Sequence, residues 1–173
     1  PIEFPTADAI QRLAGDVSLS VAGFTTLKGS YVIELDTSNS STTKVRVAGT
    51  GISALLGSDA DGVIGTADDS GAKISNGRIG AVFYSGASGT SYAFDASGTA
   101  SLVGVTGFTM SGTLAARLNT TGAAVDETIS MPGGDSVRLL LDAADSQPAF
   151  TGTVTATASD FASISGSFSI SKS

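Results

Sequence analysis

Short runs of alternating apolar and polar residues dominate this chain, and glycine, asparagine, aspartate or serine bounds each run. Alternation with a period of two places apolar side chains on one side of an extended strand, whereas a helix needs a period near 3.6. Breakers at both ends keep each strand short. The runs lie at 17–21, 31–35, 44–47, 78–84, 91–94, 113–118, 136–141, 153–158 and 167–171. The pattern predicts an all-β protein.

Two segments depart from this alternation. Residues 6–14 carry apolar side chains at helical spacing, which predicts a short N-terminal helix that caps the β core. These side chains are Ala7, Ile10 and Leu13. The run ISALL at 52–56 has no period of two. Residues 1–5 are a candidate vector-derived stretch, and no inference rests on them.

Composition limits the core that the strands can build. Hydrophobic residues make up 41% of the chain, but aromatics make up only 6% and tryptophan is absent. A narrow core of aliphatic residues with a few phenylalanines is therefore expected. The formal net charge of −7 argues against nucleic acid and against an anionic membrane surface as partners, because both need basic patches. No apolar run reaches the roughly 20 residues that a membrane-spanning helix requires.

Three segments of the chain resemble one another. They start at Gly15 (GDVSLSVAGFTTLKGSYVIEL), Gly98 (GTASLVGVTGFTMSGTLAARL) and Gly152 (GTVTATASDFASISGSFSISK). Each contains a phenylalanine after nine or ten residues and a second glycine fourteen residues after the first. The phenylalanines are Phe24, Phe108 and Phe161, and the second glycines are Gly29, Gly112 and Gly166. The segment around Gly77 resembles half of this unit. We expect an internal repeat of about 137 residues, the distance from the first to the third segment.

Two architectures accommodate this pattern over residues 15–173, which we treat as a single β domain. In a β-solenoid, short glycine-bounded strands stack and bury a thin apolar stripe. In an antiparallel β-sandwich, two sheets enclose Phe24, Phe108 and Phe161. The lack of a large aromatic core favours the solenoid, whereas variable loop lengths and the fourteen-residue spacing favour the sandwich. We expect a β-solenoid-like stack, with the sandwich as the alternative.

The segments GTLAARLNTTGAAVDETI, ASDFASISGSFSI and YAFDASGTASLVG carry a resemblance to known proteins. They resemble the tandem units of very large bacterial exported proteins, which often also carry calcium-binding repeats, as RTX-type adhesins do. The similarity extends from about residue 15 onward. It implies a structural, surface or cell-contact role outside the cell, and it supplies no catalytic residues.

The segment 57–71, GSDADGVIGTADDSG, contains four closely spaced aspartates. Calcium binds six to eight oxygens from carboxylates and backbone carbonyls, and the glycines of this segment let the backbone curl around an ion. The pattern D-x-D-G-x-x-G-T-x-D-D resembles calcium loops of bacterial extracellular proteins. The predicted ligands are Asp59, Asp61, the carbonyl of Val63, Asp68 and Asp69. The alternative is a solvated acidic turn, but carboxylates this close repel one another without an ion.

Other constellations are weaker. Two carboxylate pairs are candidates for glycoside hydrolysis, although alternation places the first pair on opposite faces of a strand and the second in an exposed turn. They are Asp126 with Glu127, and Asp142 with Asp145. Tyr84 and Tyr92 flank a loop and form either a sugar-binding platform or an edge cover for the core. The absence of histidine and cysteine excludes Ser-His-Asp and Cys-His catalysis.

These features predict a calcium-stabilised structural or adhesive repeat module of a large bacterial extracellular protein, not an enzyme. Its expected location is extracellular or at the bacterial cell surface. Its expected partners are neighbouring copies of the same repeat, with a cell-surface glycan as a further candidate. A carbohydrate-binding module is the alternative function, and a carboxylate-based glycoside hydrolase is the third.

Overall fold

The computed structural model describes residues 10–21, 25–87, 89–159 and 161–171. This part of the chain contains ten β-strands and no α-helix, so the all-β prediction is confirmed. The strands are β1 (Ile10–Val21), β2 (Thr25–Asp36), β3 (Thr42–Ser58), β4 (Ser70–Gly86), β5 (Gly89–Val103), β6 (Phe108–Asn119), β7 (Val125–Ser130), β8 (Ser136–Leu141), β9 (Ala149–Ala158) and β10 (Ala162–Ser171).

Eight of the strands form one antiparallel sheet in the order β1-β2-β3-β4-β5-β6-β9-β10. Strands β7 and β8 pair only with each other and form a separate hairpin, which the chain inserts between β6 and β9. The large sheet is therefore a meander in which each strand pairs with the next, except that β6 pairs with β9. Strands β1 and β10 are its two edges.

The predicted N-terminal helix is wrong for the described residues. Residues 10–14 belong to β1, and residues 6–9, like the candidate vector-derived residues 1–5, lie outside the described chain. Leu13 lies directly opposite Ile33 of β2 in an unbroken register. Pairing along the whole of β2 thus overrides a weak helical spacing that three apolar residues can also show by coincidence.

The segment 52–56 lies inside β3 although its sequence does not alternate. The register between β3 and β4 shifts on both sides of Ile52, which indicates β-bulges. A bulge inserts an extra residue into a strand and so breaks the sequence alternation without ending the strand.

The expectation that phenylalanines of the repeat fill the space between two sheets is not met by the described residues. Phe108 is 37% exposed at the start of β6, and Phe161 is 95% exposed in the β9–β10 turn. Phe24 lies outside the described residues. Phe108 and Phe161 are therefore not enclosed between two layers of the described chain.

The two faces of the large sheet differ in composition. Directly opposite residues in paired strands share a face, so the register assigns every strand residue to one side. The hairpin β7–β8 packs on one side, called here the hairpin face; the other side is called the open face. All charged residues of the eight described sheet strands lie on the hairpin face: Arg12, Asp16, Lys28, Glu34, Asp36, Lys44, Arg46, Lys73, Arg78, Asp95 and Arg117.

The core of the chain lies between the hairpin and the hairpin face. Alternation in the hairpin turns one side of β7 and β8 towards the sheet, where Ile129, Leu139 and Leu141 are almost fully buried. They pack with small and β-branched residues of β2 to β5, among them Val32 and Val82. Burying a leucine or isoleucine contributes about 1.5–3 kcal/mol, so this contact is a main source of stability.

Charged side chains fix the rim of this core. Three arginines of the sheet donate hydrogen bonds to backbone carbonyls of the hairpin, so that the strand edges of the hairpin are partly satisfied by the sheet below. The pairs are Arg12 with Ser130, Arg78 with Arg138, and Arg117 with Leu140. The core and its rim together hold the hairpin in one orientation on the sheet.

The three similar segments form antiparallel hairpins with a common register. In each, the first glycine lies opposite the residue two positions after the second glycine. The opposite residues are Gly15 and Tyr31, Gly98 and Leu114, and Gly152 and Phe168. Gly49 of β3 likewise lies opposite Ile79, two positions after Gly77, so the β3–β4 hairpin differs from the others by its longer connection.

Candidate metal centre

The acidic loop, residues 59–69, is this longer connection. It follows the last strand pair, Ser58 with Ser70; in the pair before that Gly57 lies opposite Gly71, and neither glycine position accepts a side chain. A Cβ on Gly57 would stand 2.0 Å from the carbonyl oxygen of Ser70, and one on Gly71 would stand 2.3 Å from that of Leu56. The two strands therefore approach closely at the base of the loop. This close approach fixes where the loop begins and ends.

Three of the predicted ligands come together in the loop. Asp59, Asp61 and Asp68 each offer a carboxylate oxygen, and these oxygens lie within 4.8 Å of one another. Gly62 and Gly65 have φ angles of 71° and 107°, a left-handed conformation that favours glycine and folds the loop back on itself. The folded loop thus brings together three aspartates that are separated by up to nine positions in the sequence.

The hydroxyl of Thr66 lies among more oxygens than it can satisfy. Its Oγ1 is 2.7 Å from Asp68 Oδ1, 2.9 Å from the carbonyl oxygen of Val63 and 3.3 Å from Asp61 Oδ1. A hydroxyl has one proton to donate, so at most one of these acceptors is well served at a time. The Val63 carbonyl and the carboxylates of Asp61 and Asp68 therefore all lie around the Thr66 hydroxyl.

Two carboxylates of the loop are buried, and in each of them one of the two oxygens accepts no hydrogen bond from the described residues. Asp59 is 6% exposed; its Oδ1 accepts from the Val63 amide at 3.0 Å, while its Oδ2 has no hydrogen-bond partner in the described part of the chain. Asp69 is 5% exposed; its Oδ2 accepts from the Gly65 amide at 2.6 Å, while no described residue donates a hydrogen bond to its Oδ1. A buried carboxylate oxygen without a donor costs free energy unless a cation satisfies it.

Asp69 is separate from the group of three. It is adjacent to Asp68 in sequence, but its carboxylate does not join the three oxygens that converge. The backbone of Asp69 lies against the turn between β5 and β6, since a Cβ on Gly104 would stand 2.4 Å from the Asp69 carbonyl oxygen. Of the predicted ligands, four are brought together and the fifth lies at the border of the loop.

No described lysine or arginine forms an ion pair with any aspartate of the loop. Hydrogen bonds from the Thr66 hydroxyl and from backbone amides, including those of Ala60 and Asp61, lower the pKa of Asp68. The carboxylate of Asp68 is therefore held in its charged form at neutral pH. The loop concentrates negative charge and holds its carboxylates with amides, which is an arrangement that suits a hard cation.

The other candidate sites of the sequence are dispersed. Tyr84 lies on the hairpin face, and Tyr92 lies on the open face beside Phe83, with ring centroids 6.0 Å apart. The two tyrosines do not share a surface. Asp126 points outwards to Arg138, whereas Glu127 points towards the sheet.

The second carboxylate pair belongs to a turn. Asp145 accepts a hydrogen bond from the Asp142 amide at 2.9 Å and lies 3.4 Å from Arg117 Nη2. Its carboxylate therefore closes a local turn after β8 and contacts the sheet. Among the described residues, no hydrogen bond joins the carboxylate of Asp142 to that of Asp145.

The sequence singles out Glu127 only as a partner of Asp126 and does not reveal the contacts of its carboxylate. Its carboxylate accepts from Lys44 Nζ at 2.8 Å, from the Tyr84 hydroxyl at 3.3 Å and from Arg46 Nη1 at 3.5 Å. Burial raises the pKa of Tyr84 most, and the charge of Glu127 adds to that effect. These partners are more than forty residues away in sequence, so no local pattern could have shown them.

Comparisons with known proteins return no significant match. No protein-family model, no curated protein and no solved structure matches the chain in these comparisons. Among the described residues, none forms a helix with the length and apolar character needed to cross a bilayer.

Proposed function

We propose that this chain is a calcium-stabilised structural or adhesive repeat module of a large bacterial extracellular protein. The observation that carries the proposal is a buried carboxylate oxygen in the acidic loop, Asp59 Oδ2, which has no hydrogen-bond partner among the described residues. The Asp59 carboxylate converges with those of Asp61 and Asp68, and the Val63 carbonyl lies beside this group. The resemblance of the chain to tandem units of bacterial exported proteins supports the location and the structural role.

Calcium fits the donor set better than other common cations. The donors are all oxygens, without histidine or cysteine, which disfavours zinc and other transition metals. Asp59, Asp61, Asp68 and the Val63 carbonyl would hold the ion, and water or bidentate coordination would complete its shell. Magnesium demands a tighter octahedral arrangement and keeps its water more strongly, so a mixed loop of this kind favours calcium. The bound ion would neutralise the charge that the loop concentrates.

The common register of the hairpins supports a tandem repeat. Strands β9 and β10 pair with each other as β1 and β2 do, and they follow them by about 137 residues. In an array of such units, β9 and β10 would occupy the place of β1 and β2 in the next copy. The β6–β9 pairing would then be the junction between neighbouring copies, and the large sheet would continue from copy to copy.

For the architecture of the unit, the antiparallel pairing of successive strands favours the sandwich alternative over the β-solenoid-like stack. The hairpin β7–β8 forms a second layer on part of the sheet, and the core lies between these layers. A solenoid would instead stack strands of successive coils in parallel along the array. We propose a partial two-layer unit in which the sheet is much larger than its cover.

The test of calcium binding is thermal unfolding in calcium and in chelator. At a hundredfold excess of calcium over its dissociation constant, binding to the folded state adds about 2.7 kcal/mol of stability. Magnesium at the same concentration should give a smaller increase. Melting temperatures that do not differ between calcium and chelator would refute the proposal.

A pair of variants separates a ligand from an ordinary loop residue. Asp59→Asn keeps an acceptor for the Val63 amide but removes a charge, so it should be at least as stable as the wild type in chelator and less stable in calcium. Asp135→Asn, with the same charge change in the exposed β7–β8 turn, should leave the calcium response intact. Equal calcium responses of the two variants would count against coordination by Asp59.

A further inference from the structure

We propose that the open face of the large sheet is an interface between two copies of this chain, packed face to face. Across eight strands, the described residues of this face include no charged side chain. Large apolar side chains stand out from it in every part of the sheet, from Leu13 at one edge to Ile170 at the other, each 62% exposed. This inference is independent of the acidic loop.

The exposed apolar area is too large for an isolated surface. Phe83, Phe150 and Phe168 are 41%, 49% and 37% exposed on this face, and aliphatic residues such as Ile164 are exposed more. With about 150 Å² for each large side chain, the exposed apolar side chains of the open face sum to the order of 900 Å². The largest apolar patch of a typical monomer is about 300–600 Å². A stable interface buries about 800 Å² on each partner, which the open face alone can supply.

The lack of charge identifies the partner as a second open face. A partner with acidic or basic groups would bury them here without a counter-charge, which is costly. Two open faces leave no charge buried and oppose no like charges. The net charge of −7 does not prevent the contact, because the charged strand residues lie on the opposite side of each sheet.

The surface shape of the open face, with a groove between protruding side chains, suits the packing of one sheet on another. An open groove of about 520 Å³ runs over β4, β5, β6, β9 and β10, with Gly98 at its floor and Leu114, Phe150 and Phe168 along it. Side chains of one copy can enter the groove of the other, and a two-fold contact uses the same surface twice. Face-to-face sheets pack about 10 Å apart, which is the depth that such side chains fill.

The test is the molar mass of the chain in solution, measured by sedimentation equilibrium, for the wild type and two matched variants. Leu114→Glu places a charge on the open face at a residue that is 40% exposed. Leu140→Glu makes the same change on the outer side of the hairpin, where the leucine is 54% exposed. We expect a dimer for the wild type and for Leu140→Glu. For Leu114→Glu we expect a dissociation constant at least about a hundredfold higher, and added salt should not weaken the wild-type dimer.

Several outcomes would overturn the proposal. They are a wild-type chain that is monomeric at high micromolar concentration, equal behaviour of the two variants, and open-ended polymers in place of dimers. Binding of the monomer to uncharged phosphatidylcholine vesicles with loss of the dimer would assign the face to lipid instead. If circular dichroism shows that Leu114→Glu does not fold, Ile170→Glu on edge strand β10 replaces it, with the same expected result.

Discussion

The two faces of the large sheet are built from alternate residues of the same strands, yet only one of them is completed within the chain. On the hairpin face, Val32 and Val82 are fully buried beneath β7–β8, and charged side chains surround that core. On the open face, residues of the same strands such as Ile33 and Phe83 are 45% and 41% exposed. The difference separates two tasks: the hairpin face provides the stability of one copy, and the open face provides area for association.

The largest expected effect tests this difference by replacing a leucine on each face with alanine and comparing the losses of stability. Leu139→Ala removes a fully buried side chain from the core under the hairpin and should cost about 2–5 kcal/mol. Leu114→Ala on the open face should cost less than about 1 kcal/mol in the monomer, because that leucine is 40% exposed. Urea denaturation at low protein concentration measures both. Similar losses would mean that the open face is already covered in one copy.

A second prediction concerns the glycines of the open face. A Cβ on Gly112 would lie 1.9 Å from the Thr153 carbonyl oxygen of the neighbouring strand, whereas one on Gly166 would meet nothing within 4 Å. Gly112→Ala should therefore force β6 and β9 apart and cost about 1–3 kcal/mol. Gly166→Ala should change the stability by no more than about 0.5 kcal/mol. Chemical denaturation measures the free energy of unfolding of both variants. Equal losses would show that the pairing of β6 with β9 does not require a glycine at position 112.

The strands were predictable from alternation, but their lengths were not. β3 and β4 continue through Gly49, Asn76 and Gly77, which a sequence rule treats as ends. Pairing with a neighbour on each side and local bulges carry these strands past their breakers. The helix predicted over 6–14 failed at residues 10–14 for the same reason, because a paired neighbour in β2 outweighs a local spacing.

The candidate site was predictable only as far as its residues are local. The convergence of Asp59, Asp61 and Asp68 follows from spacing and from the glycines between them. The sequence did not show that the Asp69 carboxylate lies apart from this group, nor that the β5–β6 turn packs against the Asp69 backbone. The contacts of Glu127 depend on where the hairpin docks, and that docking is decided by tertiary packing.

The smallest expected effect is a loss of stability at alkaline pH, which we compare for a tyrosine on each face. Burial raises the pKa of Tyr84 on the hairpin face, with a contribution from Glu127, and burial alone raises that of Tyr31 on the open face. Below the ordinary tyrosine pKa of about 10 both states are protonated and stability is unaffected. Above it the unfolded state ionises first, so stability falls as pH rises towards the folded pKa.

Tyr84→Phe should therefore reduce this alkaline loss more than Tyr31→Phe does. Urea midpoints at about pH 8 and about pH 11 measure the loss for each variant. An alkaline loss that is the same in both variants would show that the charge of Glu127 has no influence on Tyr84.

In the proposed array, the meander makes each folded unit much shorter along the array than its extended chain would be. Strands lie side by side about 4.8 Å apart, so a unit that adds six strands to the sheet advances the array by roughly 29 Å. The same 137 or so residues, pulled straight, would reach roughly 450 Å. Under tension across the sheet, strands would peel from an edge one after another and release this contour in steps. In the proposed array, each unit would therefore lengthen more than tenfold when it unfolds.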